Sequence, residues 1–256
     1  MLYFAVPLKA RAVARDWDRV SLCFNRCLAS IFGQTNDDFR VIVALHDKPK
    51  LDVVHDERLQ FLEVDYSPPG SLAEQMEDKG QKIHRIASHV RAAGGGPVMK
   101  VDADDLVSNR LAQYVADHPG HHGWYMEEGY EYLFGADRVR PCPRFHRLCG
   151  TSTIVRYEAA ELPAGTADAR DDEVVDRYHI RAPHERTHTL RQSVGKPLER
   201  LPFVGAMYVI DTDDNHTTQS GAIPAKRRLI RRVTPSKPVS PELQDEFSIN
   251  WLKVAV

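Results

Sequence analysis

Apolar and polar positions follow two different periods along this chain. Residues 2–8, LYFAVPL, are apolar without a break and predict a strand buried on both faces. From Asp18 to Phe32 the period changes. Val20, Cys23, Phe24, Cys27, Leu28 and Ile31 recur at intervals of three and four, which places them on one helix face. Arg40 to Leu45 and Leu59 to Val64 predict a second and a third strand, and SPPG at 67–70 a turn. Ile83, Ile86, Ala87 and Val90 mark a second helix from Lys79 to Ala93, which Gly94 to Gly96 terminate. PVMKVD, from Pro97 to Asp102, is then the fourth strand.

The order βαββαβ, with strands apolar throughout, predicts an α/β fold whose largely parallel sheet is covered by helices on both faces. The three glycines precede a strand, whereas a phosphate loop follows a strand and opens a helix, so they read as a helix stop. Beyond Asp105, a short helix with Ser108 as its cap is expected to run to Gly120. Residues 122–135 alternate and are aromatic, predicting a strand or hairpin. Residues 144–163 mix loop and strand, DARDDEVVDRYHIR (168–181) predicts a helix with an acidic first turn, and LPFVGAMYVID (201–211) a late strand. A terminal helix is expected from Pro241 to Val254.

Composition narrows the function. The 256 residues are 42% hydrophobic and 27% charged, with a net charge of -2, which disfavours a general nucleic-acid binder. No apolar run approaches the ~20 residues of a membrane span. The first residues lack a basic segment ahead of their apolar run, so a cytoplasmic chain is expected. Cys23, Cys27, Cys142 and Cys149 form no C-x-x-C pair and read mainly as small buried residues; a zinc site around Cys142, His146 and Cys149 lacks the paired spacing.

The fourth strand ends in VDADD. Asp102 and Asp104 stand at i and i+2, on the same side of extended chain, with Asp105 adjacent. In an open α/β sheet ligands bind beyond the carboxyl ends of the strands. A hard cation, Mn²⁺ or Mg²⁺, would relieve the repulsion of the carboxylates and bridge them to a diphosphate. The alternative is a solvated acidic turn. An EF-hand is disfavoured because its glycine is missing and Leu106 follows.

VDADD after a fourth strand resembles the D-x-D motif of GT-A glycosyltransferases, broadly glycosyltransferase family 2. CLASIFGQTNDDFRVIVALHDKP (27–49), DKGQKIHRI (78–86), HGWYMEEGYEY and FHRLCGTSTIVRY resemble further blocks of that family in the same order. The resemblance implies a GT-A, Rossmann-like mixed sheet in a single catalytic domain. It would comprise a nucleotide-sugar-binding half (1–115), an acceptor-binding half (116–220) and a basic linker with a terminal helix (221–256). It implies a transferase moving a sugar from a nucleotide-sugar donor to a carbohydrate or lipid-linked acceptor, with inversion. Pro7, Leu8 and Lys9 would border the nucleotide, with Asp47 near its base or ribose. Lys79 and Lys82 would contact base or phosphate, Asp102 and Ala103 the donor, and Asp102 and Asp104 the metal. His216 matches a third metal ligand, although a solvated loop histidine fits it as well. The proton-accepting base would be Asp172, or Asp171, in RDDEVVDRY (170–178), where the family usually has Glu-Asp. Glu127 and Glu128 are weaker candidates, of which at most one faces the cleft.

Three alternatives remain open. Nucleotidyl transfer uses a similar fold and acidic site. HERTH (184–188) fits the H-E-x-x-H zinc hydrolase pattern, though Pro183 precedes it and apolar flanks are scarce. A binding module for sugar or membrane without turnover is the third. The basic cluster Lys226, Arg227, Arg228, Arg231, Arg232 and Lys237 fits either a solvated helix or a peripheral contact with anionic lipid at the inner membrane face.

Overall fold

The computed structural model describes residues 1–52, 56–165, 178–210 and 235–250. Asp171, Asp172, His216, the basic residues 226–232 and the end of the expected terminal helix lie outside the described residues.

The expected mixed α/β architecture is the observed one. Strand β1 (Leu2–Pro7) pairs in parallel with β2 (Phe39–Leu45) and with β4 (Gly95–Lys100), and β2 pairs in parallel with β3 (Leu59–Glu63). Beyond β4 the direction reverses: β9 (Thr153–Glu158) is antiparallel to β4 and to β6 (Gly123–Tyr125), and β10 (Glu199–Arg200) adds in parallel to β6. The order is β10-β6-β9-β4-β1-β2-β3. A second sheet has the order β12-β8-β7-β11-β5, formed by Lys237–Pro238, Arg138–Pro143, Glu128–Leu133, Ala206–Ile210 and Leu106–Val107.

Alternation along β1 builds two cores. Leu2, Phe4, Val6 and Leu8 join Val41, Val43 and Leu45 on one face, covered by helix α1 (Trp17–Phe32) and helix α3 (Leu111–Asp117). Tyr3, Ala5, Ile42 and Ala44 point the other way and pack on Ile83, Ile86, Ala87 and Val90 of helix α2 (Leu72–Ala92). Each fully buried side chain of this size contributes about 1.5–3 kcal/mol of transfer free energy. Leu106, Tyr132, Val139, Met207, Val209 and Phe247 form a third cluster inside the second sheet. Cys23, Cys27 and Cys149 are buried, and all four cysteines are free thiols.

Capping sets the helix starts. The Asp16 carboxylate accepts from the Arg19 N–H at 3.0 Å and opens α1. Helix α2 begins seven residues before the expected Lys79, because the Ser71 hydroxyl accepts from the Glu74 N–H at 3.3 Å while the Glu74 carboxylate accepts from the Gly70 N–H at 2.6 Å. Its first turns are polar and carry no apolar period, which hid them. Ser108 is not a helix cap. It is buried and donates its hydroxyl to Glu246 at 2.6 Å, and α3 starts only at Leu111. Gln34 ties these parts together, donating to the Ser108 carbonyl and accepting from the Ala112 N–H, both at 2.8 Å. The aromatic stretch 122–135 is not a hairpin: β6 belongs to the first sheet and β7 to the second, with the chain crossing between them at Met126 and Glu127. No helix among the described residues is long and apolar enough to cross a membrane.

Candidate functional site

The parallel strands β1, β2 and β4 end along one edge, where Pro7 is level with Ala44 and Ala5 with Lys100. That edge collects Pro7, Leu8, Lys9, Asp47, Lys79, Asp102 and Ala103 from the expected site. Leu8 corrects the expectation that it borders the nucleotide: the whole residue is buried, its N–H donating to the Ala44 carbonyl and its carbonyl accepting from Lys82. Asp47 accepts from the Arg11 N–H at 2.9 Å and fixes the turn after β1.

The three carboxylates after β4 separate. Asp102 and Asp104 are partly exposed, and Asp105 is fully buried. The chain turns at this point, with the Asp105 N–H donating to the Asp102 carbonyl at 2.9 Å. The turn swings the Asp105 carboxylate inward, where it accepts from the Thr151 hydroxyl at 2.6 Å, the Cys149 thiol at 3.1 Å and the Val209 N–H at 3.1 Å. Burial, reinforced by repulsion from Asp104 and Asp102, raises its pKa well above the usual carboxylate range. Asp105 therefore belongs to the packing of the two sheets, and of the three carboxylates only Asp102 and Asp104 keep surface in solvent. Thr151 also accepts from the Asp102 N–H at 2.9 Å, tying the start of β9 to the end of β4.

Asp102 meets a cation. Lys79 Nζ, from α2, lies 2.5 Å from its Oδ1. Burial alone would raise the Asp102 pKa, but the Lys79 ammonium beside it reverses this and holds the carboxyl below its ordinary value. The same pairing raises Lys79 against its own burial. The opposite wall is Gly150, where a Cβ would stand 2.7 Å from Asp102 Oδ2, so a side chain there would displace the carboxylate. Lys100, at the end of β4, donates to the carbonyls of Ala182 at 2.9 Å and Ile180 at 3.2 Å. Burial first, and then repulsion from Lys79, push its pKa down to about 8. These bonds anchor the segment before helix α4 (His184–Ser193), whose His184 interacts electrostatically with Asp102 although burial lowers its own pKa.

Lys82 corrects the expectation of a nucleotide contact. It is 1% exposed, and its ammonium donates to Asp78 Oδ2 and to the Leu8 carbonyl, both at 2.7 Å. Asp78 Oδ1 in turn meets His46 Nε2 at 2.8 Å. This buried network holds the exit of β1 in place from below, and Lys82 supports the edge without facing it.

HERTH does form a helix, the start of α4, with His184 and His188 one turn apart on one face but meeting different neighbours. His184 lies toward Asp102, and the His188 ring packs on Tyr125 with centroids 4.5 Å apart. Among the described residues no three His, Cys, Asp or Glu side chains are grouped to hold a metal ion. Asp102 and Asp104 do fit a hard cation shared with a bound diphosphate, because such sites take one or two carboxylates from the protein and the remaining oxygens from phosphate and water.

Thr151, Gly150 and Lys100 were not legible as site residues, although a lysine closing an otherwise apolar strand was an available signal. His146, on the short turn Phe145–Arg147, lies with Nδ1 3.3 Å from Glu127 Oε2, and Glu128 points elsewhere, to Arg200 at 2.8 Å.

No protein-family model matches the chain, and no curated protein is significantly similar to it. Among solved structures, TarS from S. aureus superposes with a TM-score of 0.42 at 13% identity, over 83% of this chain and 37% of that one. A protein from Desulfovibrio desulfuricans G20 assigned as a nucleotide-diphospho-sugar transferase gives 0.36 at 10% identity, over 90% and 93% of the two chains. One from Bacillus anthracis assigned as a glucose-1-phosphate thymidylyltransferase, in complex with sucrose, gives 0.38 at 10%, over 93% and 98%. The chain thus spans little more than a third of TarS, and its similarity to all three is remote.

Proposed function

We propose that this chain is a glycosyltransferase that moves a sugar from a nucleotide-sugar donor to an acceptor hydroxyl with inversion, using Mn²⁺ or Mg²⁺. The observation that carries the reading is the pairing of Lys79 with Asp102 at the carboxyl edge of β1, β2 and β4, with Asp104 beside it. This edge is where open α/β sheets bind nucleotides.

In this reading the turn after β1 and Asp47 border the nucleoside. Asp102 and Asp104 would hold the metal, which when bound neutralises charge on the diphosphate. Lys79 lies against the same carboxylate and would place its ammonium along the phosphates. The acceptor oxygen bonds to the sugar's anomeric carbon as the bond from that carbon to the diphosphate breaks, and the electron pair departs with the nucleoside diphosphate. The acceptor hydroxyl must lose its proton to a base, the part the resemblance gives to Asp172 or Asp171. His216 as a third ligand, and a peripheral contact with anionic lipid through 226–237, belong to the same reading.

The test is a thermal-shift panel of UDP-, GDP- and dTDP-sugars with and without Mn²⁺, since a ligand specific for the folded state raises Tm by mass action. One donor is expected to raise Tm only with Mn²⁺ and to lose that dependence in Asp104→Asn. Absence of any metal-dependent shift counts against the reading. Release of pyrophosphate in place of a nucleoside diphosphate converts it to nucleotidyl transfer.

A further inference from the structure

Glu127 stands where a second reacting group is needed. Strand β6 is antiparallel to β9, and β9 is antiparallel to β4, so β6 and β4 run the same way and end on the same edge. Asp102 follows the end of β4, and Glu127 follows the end of β6. The adjacent acid separates from it: Glu128 is exposed and its carboxylate is taken by Arg200. Glu127 is about one-third exposed, with His146 Nδ1 at an ion-pair distance of 3.3 Å from Oε2.

The surroundings of this pair are built. The Phe145 N–H donates to the Glu127 carbonyl at 3.0 Å and the His146 N–H to the Met126 carbonyl at 2.9 Å, fixing the short turn against the exit of β6. Phe145 lies fully buried against Gly129, where any Cβ would stand 2.1 Å from the ring, so the turn has one seat. The rings of Tyr125, His146 and His188 pack together, at centroid separations of 5.1 Å for Tyr125–His146 and 4.5 Å for Tyr125–His188. Helix α4 spans the gap to Asp102. His184 acts on Asp102, and His188, one turn later on the same face, reaches Tyr125 and His146. One helical face therefore carries both the histidine that interacts with Asp102 and the one that packs on the rings beside Glu127.

We infer that Glu127, which stands beside His146, is the base that takes the acceptor proton. The inference rests on the glycosyl-transfer reading and assigns the base within this ring-lined wall in place of Asp172. The O–H bond of the acceptor breaks as its oxygen bonds to the anomeric carbon. The proton passes to a Glu127 oxygen, and the sugar–diphosphate bond breaks with its electrons leaving on the nucleoside diphosphate. The titratable and charged groups that face His146 are Glu127, Tyr125, Arg147 and His188. Burial outweighs Glu127 and lowers the His146 pKa; its buried Nδ1 stands 3.3 Å from Glu127 Oε2 with no hydrogen-bond partner among the described residues.

The assay measures nucleoside diphosphate released from UDP-glucose, UDP-N-acetylglucosamine, GDP-mannose and dTDP-glucose with Mn²⁺, water serving as the acceptor, alongside the UDP- or GDP-induced thermal shift. Glu127→Gln is expected to lower kcat by ~10²–10⁴-fold with the donor KM and the thermal shift unchanged, and to abolish the acid limb of the pH–rate profile. His146→Gln is expected to displace that limb, and Glu128→Gln to behave as the parent. A Glu127→Gln variant within about threefold of the parent rate, or an acid limb lost only in Asp172→Asn, overturns the assignment while leaving the transfer reading standing. A nucleotide shift absent from the parent protein overturns both.

Discussion

Lys79 Nζ lies 2.5 Å from Asp102 Oδ1, so the carboxylate that opens the acidic turn is already paired with an ammonium from the neighbouring helix. The pair sits where α2 passes the end of β4, and both side chains keep part of their surface in solvent. A bound diphosphate would meet the lysine and the carboxylate together. Lys79→Ala is expected to weaken UDP or GDP binding by roughly 10–100-fold, the range for one charge-assisted contact. Calorimetric titration of the nucleotide in Mn²⁺ checks this, and an unchanged Kd removes Lys79 from the site.

Asp105 predicts a fold defect separate from any chemical one. Its carboxylate accepts from Thr151, Cys149 and the Val209 N–H, joining β4, β9 and β11. Asp105→Ala leaves these donors without an acceptor, at a cost of about 1–3 kcal/mol for each one stranded. Asp105→Asn keeps an oxygen for Val209 and is expected to be milder. Urea unfolding of both variants reads the difference, and an Asp105→Ala midpoint equal to the parent's would contradict the role.

The buried pair of Asp78 and Lys82 predicts strong asymmetry between breaking and replacing it. Lys82→Met leaves a buried carboxylate with His46 and Tyr66 beside it but no cation from Lys82, and is expected to cost about 3–5 kcal/mol. Combining it with Asp78→Leu removes the stranded charge and should recover much of that loss. A double-mutant cycle in denaturant measures the coupling; simple additivity would mean that the two groups do not act as a pair.

His84 predicts a pH dependence. Burial, and then the positive charge of Arg181, lower its pKa against a supporting backbone bond at Gly165. The folded state therefore binds fewer protons than the unfolded chain near pH 6, and stability rises with pH there. The contribution is complete above the unfolded value of about 6.5 and is lost as pH falls toward the lower folded value. His89, His146 and His184 are lowered too and share the slope. Tm should fall from pH 7.5 to 5.5, less steeply in His84→Gln; equal slopes would refute the His84 share.

The basis of legibility differs among these residues. Asp102 and Asp104 were readable because strand period and strand end are local properties, and i and i+2 side chains share a side before any partner is known. Lys79 was placed beside that strand by the resemblance alone, and its pairing with Asp102 is what the structure adds. Lys82 looked equivalent, three residues on and only about 60° away around the helix, but its ammonium is captured by Asp78 and by the Leu8 carbonyl beneath β1. Glu127 and Glu128 were readable only as a pair of which one faces inward.

What the sequence determined by itself is the alternation of β1 and β2 that makes two cores, the apolar faces of α1 and α2, and the acidic end of β4. These follow from the period of apolar positions, a property of neighbours along the chain. Tertiary structure alone decided that Asp105 turns inward, that Lys79 pairs outside while Lys82 pairs inside, and that His146 meets Glu127. Each of these depends on which distant element supplies the partner atom: β9 and β11 for Asp105, the exit of β1 for Lys82, and the turn at 145–147 for Glu127. Desolvation makes such pairings decisive, because a buried charge or hydrogen-bonding group is tolerated only where a partner has been folded against it.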